Sequence, residues 1–228
     1  MIIAEIGLNH LGNPLLADKY LDNLLDTEVD AITFQIREND FYENPPSPEM
    51  KNYKLSRDYY TQAIQKVQNS GKKFGIVVYE TDDADFFISQ QVDFFKVLSI
   101  HFQHQIIEYL LSHSDKPLLL SAGLDTPEQI QQRITALSCP ERLTLIYTSF
   151  SGNTEPSQIQ IMQERYHLPV AYGNHSVDLA DVKRALQYSP TDILLYVRAE
   201  DTIYPDHDHA IPLSQIKAVV QKVKVMST

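Results

Sequence analysis

A single cysteine, Cys139, stands in the 228 residues, so the chain forms no internal disulfide and no cysteine-ligated zinc site. Basic residues are also few: 19 Lys and Arg against 30 Asp and Glu give a formal charge of −11. That balance argues against a nucleic-acid backbone or an anionic membrane as the main partner. It leaves room for a small anionic substrate held by a local group of cations. No apolar run approaches the roughly 20 residues that a bilayer-spanning helix needs. The chain enters strand-like sequence at once, with no basic, hydrophobic leader, so the expected compartment is the cytoplasm. No GxGxxG follows the first apolar run and no GxxxxGK[ST] occurs anywhere, which removes the best support for a nucleotide-binding open sheet. Nothing resembles a Ser-His-Asp arrangement with a nucleophile elbow.

What is present is a strict alternation. Strand-like runs are Ile2–Leu8, Ala31–Ile36, Phe74–Tyr79, Phe94–Ile100, Pro117–Ser121, Leu143–Thr148, Val170–Tyr172 and Asp192–Val197. Helical patterns fall between them at Leu15–Asp26, Arg57–Asn69, Ala84–Gln90, Gln105–His113, Pro127–Leu137, Pro156–Tyr166 and Leu179–Gln187, and Ile216–Val225 closes the set. Asp58 and Thr126 are the expected N-caps, with Pro127 suited to a first helical position. Alternation demands a parallel sheet with right-handed crossovers, and eight units predict a single-domain (β/α)8 TIM barrel over residues 1–228. The one long interruption, residues 37–56, holds Pro45, Pro46 and Pro48 with Phe41, Tyr42 and Tyr53. It is too proline-rich for a helix interior and too aromatic for a flexible linker, and it reads as a lid or side wall on the catalytic face, or as a structural excursion or subunit contact.

In a barrel the site is built from the carboxyl ends of the strands, so polar residues there can be pooled. Glu5 is the first: a carboxylate inside the apolar run Ile2–Leu8 costs several kcal/mol unless it is paired or faces a polar cavity. Asn9 and His10 follow it. Gln35, Arg37, Tyr79 and Glu80 come from the second and third units, and Lys96, Ser99, His101 and Ser121 from the fourth and fifth. Tyr147, Thr148, Ser149, Asn174, His175, Arg198, Glu200 and Asp201 complete the pool. Lys96, inside Phe94-Phe-Lys-Val-Leu98, needs an anion: it is a phosphate or carboxylate clamp, a Schiff-base nucleophile or the partner of Glu5. Arg37 and Arg198 can hold an oxyanion bidentately. His175 is a metal ligand, a general base or a hydrogen-bonded structural histidine. Pro205-Asp-His-Asp-His209 has the composition of a surface loop or of a tract for Mn, Fe or Zn.

Ala4-Glu-Ile-Gly-Leu-Asn-His-Leu-Gly12 resembles the opening strand of the N-acetylneuraminate (sialic acid) synthase family, AEIGxNHxG. The similarity runs in order through Asp30–Gln35, Phe95–Ser99, Lys116–Gly123, Tyr147–Ser149, Leu168–Ser176 and Pro205–His207. The resemblance implies a (β/α)8 barrel that condenses phosphoenolpyruvate with an N-acylated sugar, using a divalent metal such as manganese. By it, Glu5, Lys96 and His175 carry the catalysis and Gln35, Ser99, Ser121 and Asp206 bind substrate; from their strand-end places Asn9 and Thr148 are expected to join them, and Arg37 and Arg198 to supply positive charge where the chain departs from the family. His175 would be a metal ligand. The partners implied are an anionic small molecule and a sugar, with an oligomer allowed. The departures are specific. Thr33 stands where the family has a lysine, Arg198 near its second metal histidine, His101 at an expected acid and Ser151 near an expected tyrosine. The family's C-terminal antifreeze-like domain is expected to be absent. Two readings therefore stand beside the synthase: a metal-independent lyase or aldolase on the same barrel, and a non-catalytic homologue that binds an anion or sugar.

Overall fold

Ile2–Gly7 (β1) is buried at every position and finds parallel partners on both sides, β2 (Ala31–Gln35) and β8 (Ile193–Arg198). Between them run β3 (Lys73–Val77), β4 (Phe94–Val97), β5 (Leu118–Ser121), β6 (Leu143–Thr148) and β7 (Val170–Asn174), each paired in parallel with its neighbours. The β1–β8 ladder closes the ring, so the protein is the expected (β/α)8 barrel. The structure, a computed structural model, describes residues 1–98, 104–122, 126–148, 155–200 and 205–227.

The helices are α1 (Pro14–Leu25), α2 (Asn39–Glu43), α3 (Arg57–Asn69), α4 (Thr81–Ser89), α5 (His104–His113), α6 (Pro127–Ala136), α7 (Ser157–Tyr166), α8 (Leu179–Leu186) and α9 (Leu213–Met226). Thr126 caps α6 in a capping box with Gln129, and Pro127 opens that helix. The cap of α3 is Ser56 rather than Asp58. The Ser56 hydroxyl accepts from the Tyr59 amide, while Asp58 lies in the first turn, where its charge still complements the helix dipole. A two-residue strand, β9 (Ile211–Pro212), pairs in parallel with the end of β8 before α9.

The 37–56 segment contains helix after all: α2 and a 3-10 turn at Pro48–Asn52. Proline is tolerated at the first position of such a turn, which is where Pro48 sits. Phe41 and Tyr53 bury against Leu8, so the excursion is packed onto the end of β1. Glu80 pins it from the other side, accepting from the backbone and side-chain nitrogens of Asn39 at 2.9 and 2.6 Å.

Inside the barrel, Ile3, Ala31, Phe94, Leu119, Ile146, Ala171 and Leu194 form one apolar layer. The alternate residues of the strands face outward and pack on the helices: Ala4, Ile32, Phe95, Leu120, Leu145 and Leu195 belong to the larger outer core. This period of two decides what lies one step higher.

Candidate functional site

Two residues beyond the apolar layer, the inward positions turn polar. Ile3 is followed by Glu5, Phe94 by Lys96, Leu119 by Ser121, Ile146 by Thr148 and Leu194 by Tyr196. These side chains, with Gly7, Gln35, Leu98, His175 and Asp206, line a cavity of about 250 Å3 at the carboxyl end of the strands. The apolar layer is its floor.

Lys96 Nζ donates to Glu5 Oε2 at 2.6 Å, and both residues are 1% exposed. Burial opposes the lysine's charge, but Glu5, helped by Tyr196, outweighs it and holds Lys96 above the ordinary lysine range. The other Glu5 oxygen, Oε1, is buried without a hydrogen-bond partner. An unmatched carboxylate oxygen lining a cavity costs about 1–3 kcal/mol until a donor arrives. Gly7 explains how further acceptors reach it. At φ +56 and beside a β-bulge, it has no Cβ, and one placed there would meet Asp206 Oδ2 at 3.3 Å, Glu5 Oε1 at 3.6 Å and Gln35 Oε1 at 3.9 Å. Three acceptor oxygens thus converge around one point, a suitable setting for the hydroxyl or amide N–H groups of a sugar.

The adjoining wall is aromatic. His175 stacks on His209 with ring centroids 4.2 Å apart and planes 8° apart, and the Tyr196 ring meets both edge-on at 4.5 and 5.0 Å. Burial first, then His209 and Lys96, lower the His175 pKa to about 3, so its imidazole is neutral at physiological pH. His209 Nε2 approaches Asp206 Oδ1 at 3.5 Å.

Several residues singled out from sequence stand elsewhere. Asn9 is fully buried behind the site, where it donates to the Val197 carbonyl at 2.8 Å and accepts from the Asp206 amide at 3.3 Å. It positions Asp206 rather than lining the cavity. Arg37 is paired with Glu38 at 2.7 Å and lies over the rings of Phe41 and Tyr79. β2 ends at Gln35, so the strand's alternation does not carry Arg37 toward the cavity. Arg198 donates to the Ala199 carbonyl at 3.3 Å. Neither arginine is among the described residues that line the cavity. His10 is buried against Phe34, accepts from the Gly12 amide at 3.0 Å and is used structurally. Ser99, with His101, Ser149, Ser151 and Asp201, lies outside the described residues.

Tyr196 is the contributor that residue-by-residue reading did not single out, and His209 was read only as part of the Pro205–His209 tract. The signal for Tyr196 was the alternation itself: from Leu194 in the core, the next inward position is 196. For a divalent metal the described residues do not fit. No three His, Cys, Asp or Glu side chains among them are arranged to hold an ion, His175 is stacked face to face on His209, and an arginine occupies position 198.

Comparisons with known proteins agree with this fold. The NeuB family model matches residues 19–228. An N,N'-diacetyllegionaminic acid synthase of Legionella pneumophila is 22% identical over 258 aligned positions, which take in all of this chain and 72% of that enzyme. An N-acetylneuraminate-9-phosphate synthase of Mus musculus is 22% identical over 99% of this chain and 69% of its own length. Among solved structures, the N-acetylneuraminic acid synthetase of Leptospira borgpetersenii, in complex with citrate, superposes with a TM-score of 0.87 at 18% identity, over 99% of this chain and 83% of that one.

Proposed function

The chain belongs to the NeuB family, and on that premise we propose that it is a synthase joining phosphoenolpyruvate to the aldehyde carbon of an N-acylated sugar. The observation that carries this is the Glu5–Lys96 pair lining the cavity, with Glu5 Oε1 unmatched and Lys96 held protonated. An incoming phosphate or carboxylate can share the Lys96 ammonium, and the Ser121 and Thr148 hydroxyls in the wall can donate to its other oxygens. The sugar's hydroxyl and N-acyl donors match the acceptors at Glu5, Gln35 and Asp206. With the anion on Lys96 and the sugar on the acceptors, the enol carbon and the aldehyde carbon are brought together, which is the largest service a site of this kind performs.

The same pair weighs against an aldolase using Lys96. A Schiff base needs a neutral amine, and a buried carboxylate at 2.6 Å keeps this one charged. The test is release of inorganic phosphate from phosphoenolpyruvate in the presence and absence of an N-acylated hexosamine, with the 2-keto acid product followed by mass. Sugar-dependent phosphate release with a matching product supports the synthase. Binding of both compounds with no product would make the chain a non-catalytic homologue, and a borohydride-trapped adduct on Lys96 would restore the aldolase.

A further inference from the structure

Tyr196 is the cavity residue with no assigned task. It is paired with Glu5 in the β1–β8 register, so both side chains leave neighbouring strands on the same inward face and the ring enters the barrel beside the ion pair. Lys96 Nζ lies 5.3 Å from the ring centroid, close enough for its charge to steady negative charge on the phenol oxygen. The edge contacts with His175 and His209 hold the ring on its remaining side, and the cavity is where the side chain is open. Burial, with Glu5 and Asp206, raises its pKa against the opposing effect of Lys96, so the hydroxyl keeps its proton at neutral pH.

We infer that Tyr196 is a catalytic proton donor to the carbonyl oxygen of the aldehyde substrate. This deepens the synthase reading and rests on it. As the enol carbon of phosphoenolpyruvate bonds to the aldehyde carbon, the carbonyl π pair moves to oxygen and takes the Tyr196 proton. The phenolate formed is held by the Lys96 ammonium beside it. Water then adds to the electron-poor C2 of the former enol, returning one proton to Tyr196. The C2 hydroxyl of that adduct gives its proton to the phosphate as the C2–O bond breaks, leaving a ketone and inorganic phosphate. Every proton is accounted for, and no oxidant or reductant is used. The chemistry needs an electrophilic aldehyde, and a phenol that shares a lysine's charge supplies a hydrogen-bond donor where negative charge develops.

The experiment compares wild type with Tyr196→Phe for sugar-dependent phosphate release, alongside calorimetry of phosphoenolpyruvate binding and a melting curve. The expected result is a kcat lower by about 10²–10⁴-fold, the range for a positioned acid, with phosphoenolpyruvate affinity and melting temperature near wild type. Replacing Tyr196 by 3,5-difluorotyrosine, whose phenol ionises at lower pH, should move the alkaline limb of the kcat profile downward in pH. A Tyr196→Phe kcat equal to wild type, or a loss entirely in substrate affinity, would overturn the role while leaving the synthase reading intact. A difluorotyrosine profile that does not move would likewise overturn it. Wild-type protein with no sugar-dependent turnover would remove the synthase reading and this role together.

Discussion

His10 and His175 are both pushed down to about pKa 3, chiefly by burial, and they mark where acid should attack this fold. The unfolded chain takes up protons at these imidazoles near pH 6.5, the folded chain only near 3, so between those values the unfolded state binds more protons. Stability is therefore full above about 6.5 and falls as the pH drops toward 3. The expected loss between neutral pH and pH 5 is about 2 kcal/mol for each histidine. It is read as a lower urea midpoint at pH 5, and substitution His10→Gln should remove its share of the slope. Equal midpoints at the two pH values would count against neutral imidazoles. Lys96 makes the opposite case, a charge the fold insists on. Lys96→Met leaves Glu5 ionised at 1% exposure with nothing to pair with, for a loss of about 3–5 kcal/mol. Adding Glu5→Gln should restore most of that stability in the same denaturation assay, without restoring any phosphoenolpyruvate binding. A double variant no more stable than the single one would mean that the pair is not the reason.

At the scale of elements, Gly12, between β1 and α1, is where the 37–56 excursion comes closest to the turn after β1. Its φ is +68, and a Cβ there would fall 1.8 Å from the Asn52 carbonyl oxygen, a backbone atom that cannot step aside. Gly12→Ala should cost about 1–3 kcal/mol through strain and displaced packing, and limited proteolysis should then cut first within residues 37–56. Cleavage no faster than in wild type would show that the excursion is anchored by Phe41, Tyr53 and Glu80 without help from Gly12. Almost every barrel element was legible from sequence, because strands buried on two faces read as apolar runs and the helices between them carry a 3.6-residue stripe. The excursion's helical turns were not, since Pro48 was counted as a breaker when it sits at a first turn. The site was legible in part. Glu5 and Lys96 announced themselves as charges inside apolar strands. Glu80 and Glu200 at other strand ends look the same on paper, yet one pins Asn39 and the other accepts from the Ser214 amide of α9. Composition at a strand end does not say whether a side chain turns inward to the cavity or outward to a helix. Tyr196 was hidden for a related reason: an aromatic in a strand usually means core, and only its register against Glu5 separates it from one.

For the molecule as a whole, the polar layer is supported by the apolar layer beneath it, and that layer depends on one absent side chain. Phe94 is a large ring in the narrow interior, and Gly75 of β3 leaves the room: a Cβ there would come 2.3 Å from two Phe94 ring carbons and 2.7 Å from Thr33 Cγ2. The ring has little freedom to move, because the layer's other members crowd the same interior and the barrel is closed by β1–β8. Gly75→Ala should therefore destabilise by about 1–3 kcal/mol, the usual cost of overpacking. Phe94→Leu alone should also destabilise, by opening space. Together they should lose less than the sum of the two, because the smaller side chain yields the volume the new methyl needs; the coupling is measured as a double-mutant cycle in urea. The consequence reaches the site, since Lys96 is the next inward residue on the Phe94 strand. Gly75→Ala should weaken phosphoenolpyruvate binding measured by calorimetry, and the double variant should recover it. Additive energies with unchanged binding would mean that the floor and the site above it are mechanically independent, and that the Glu5–Lys96 pair holds its own geometry.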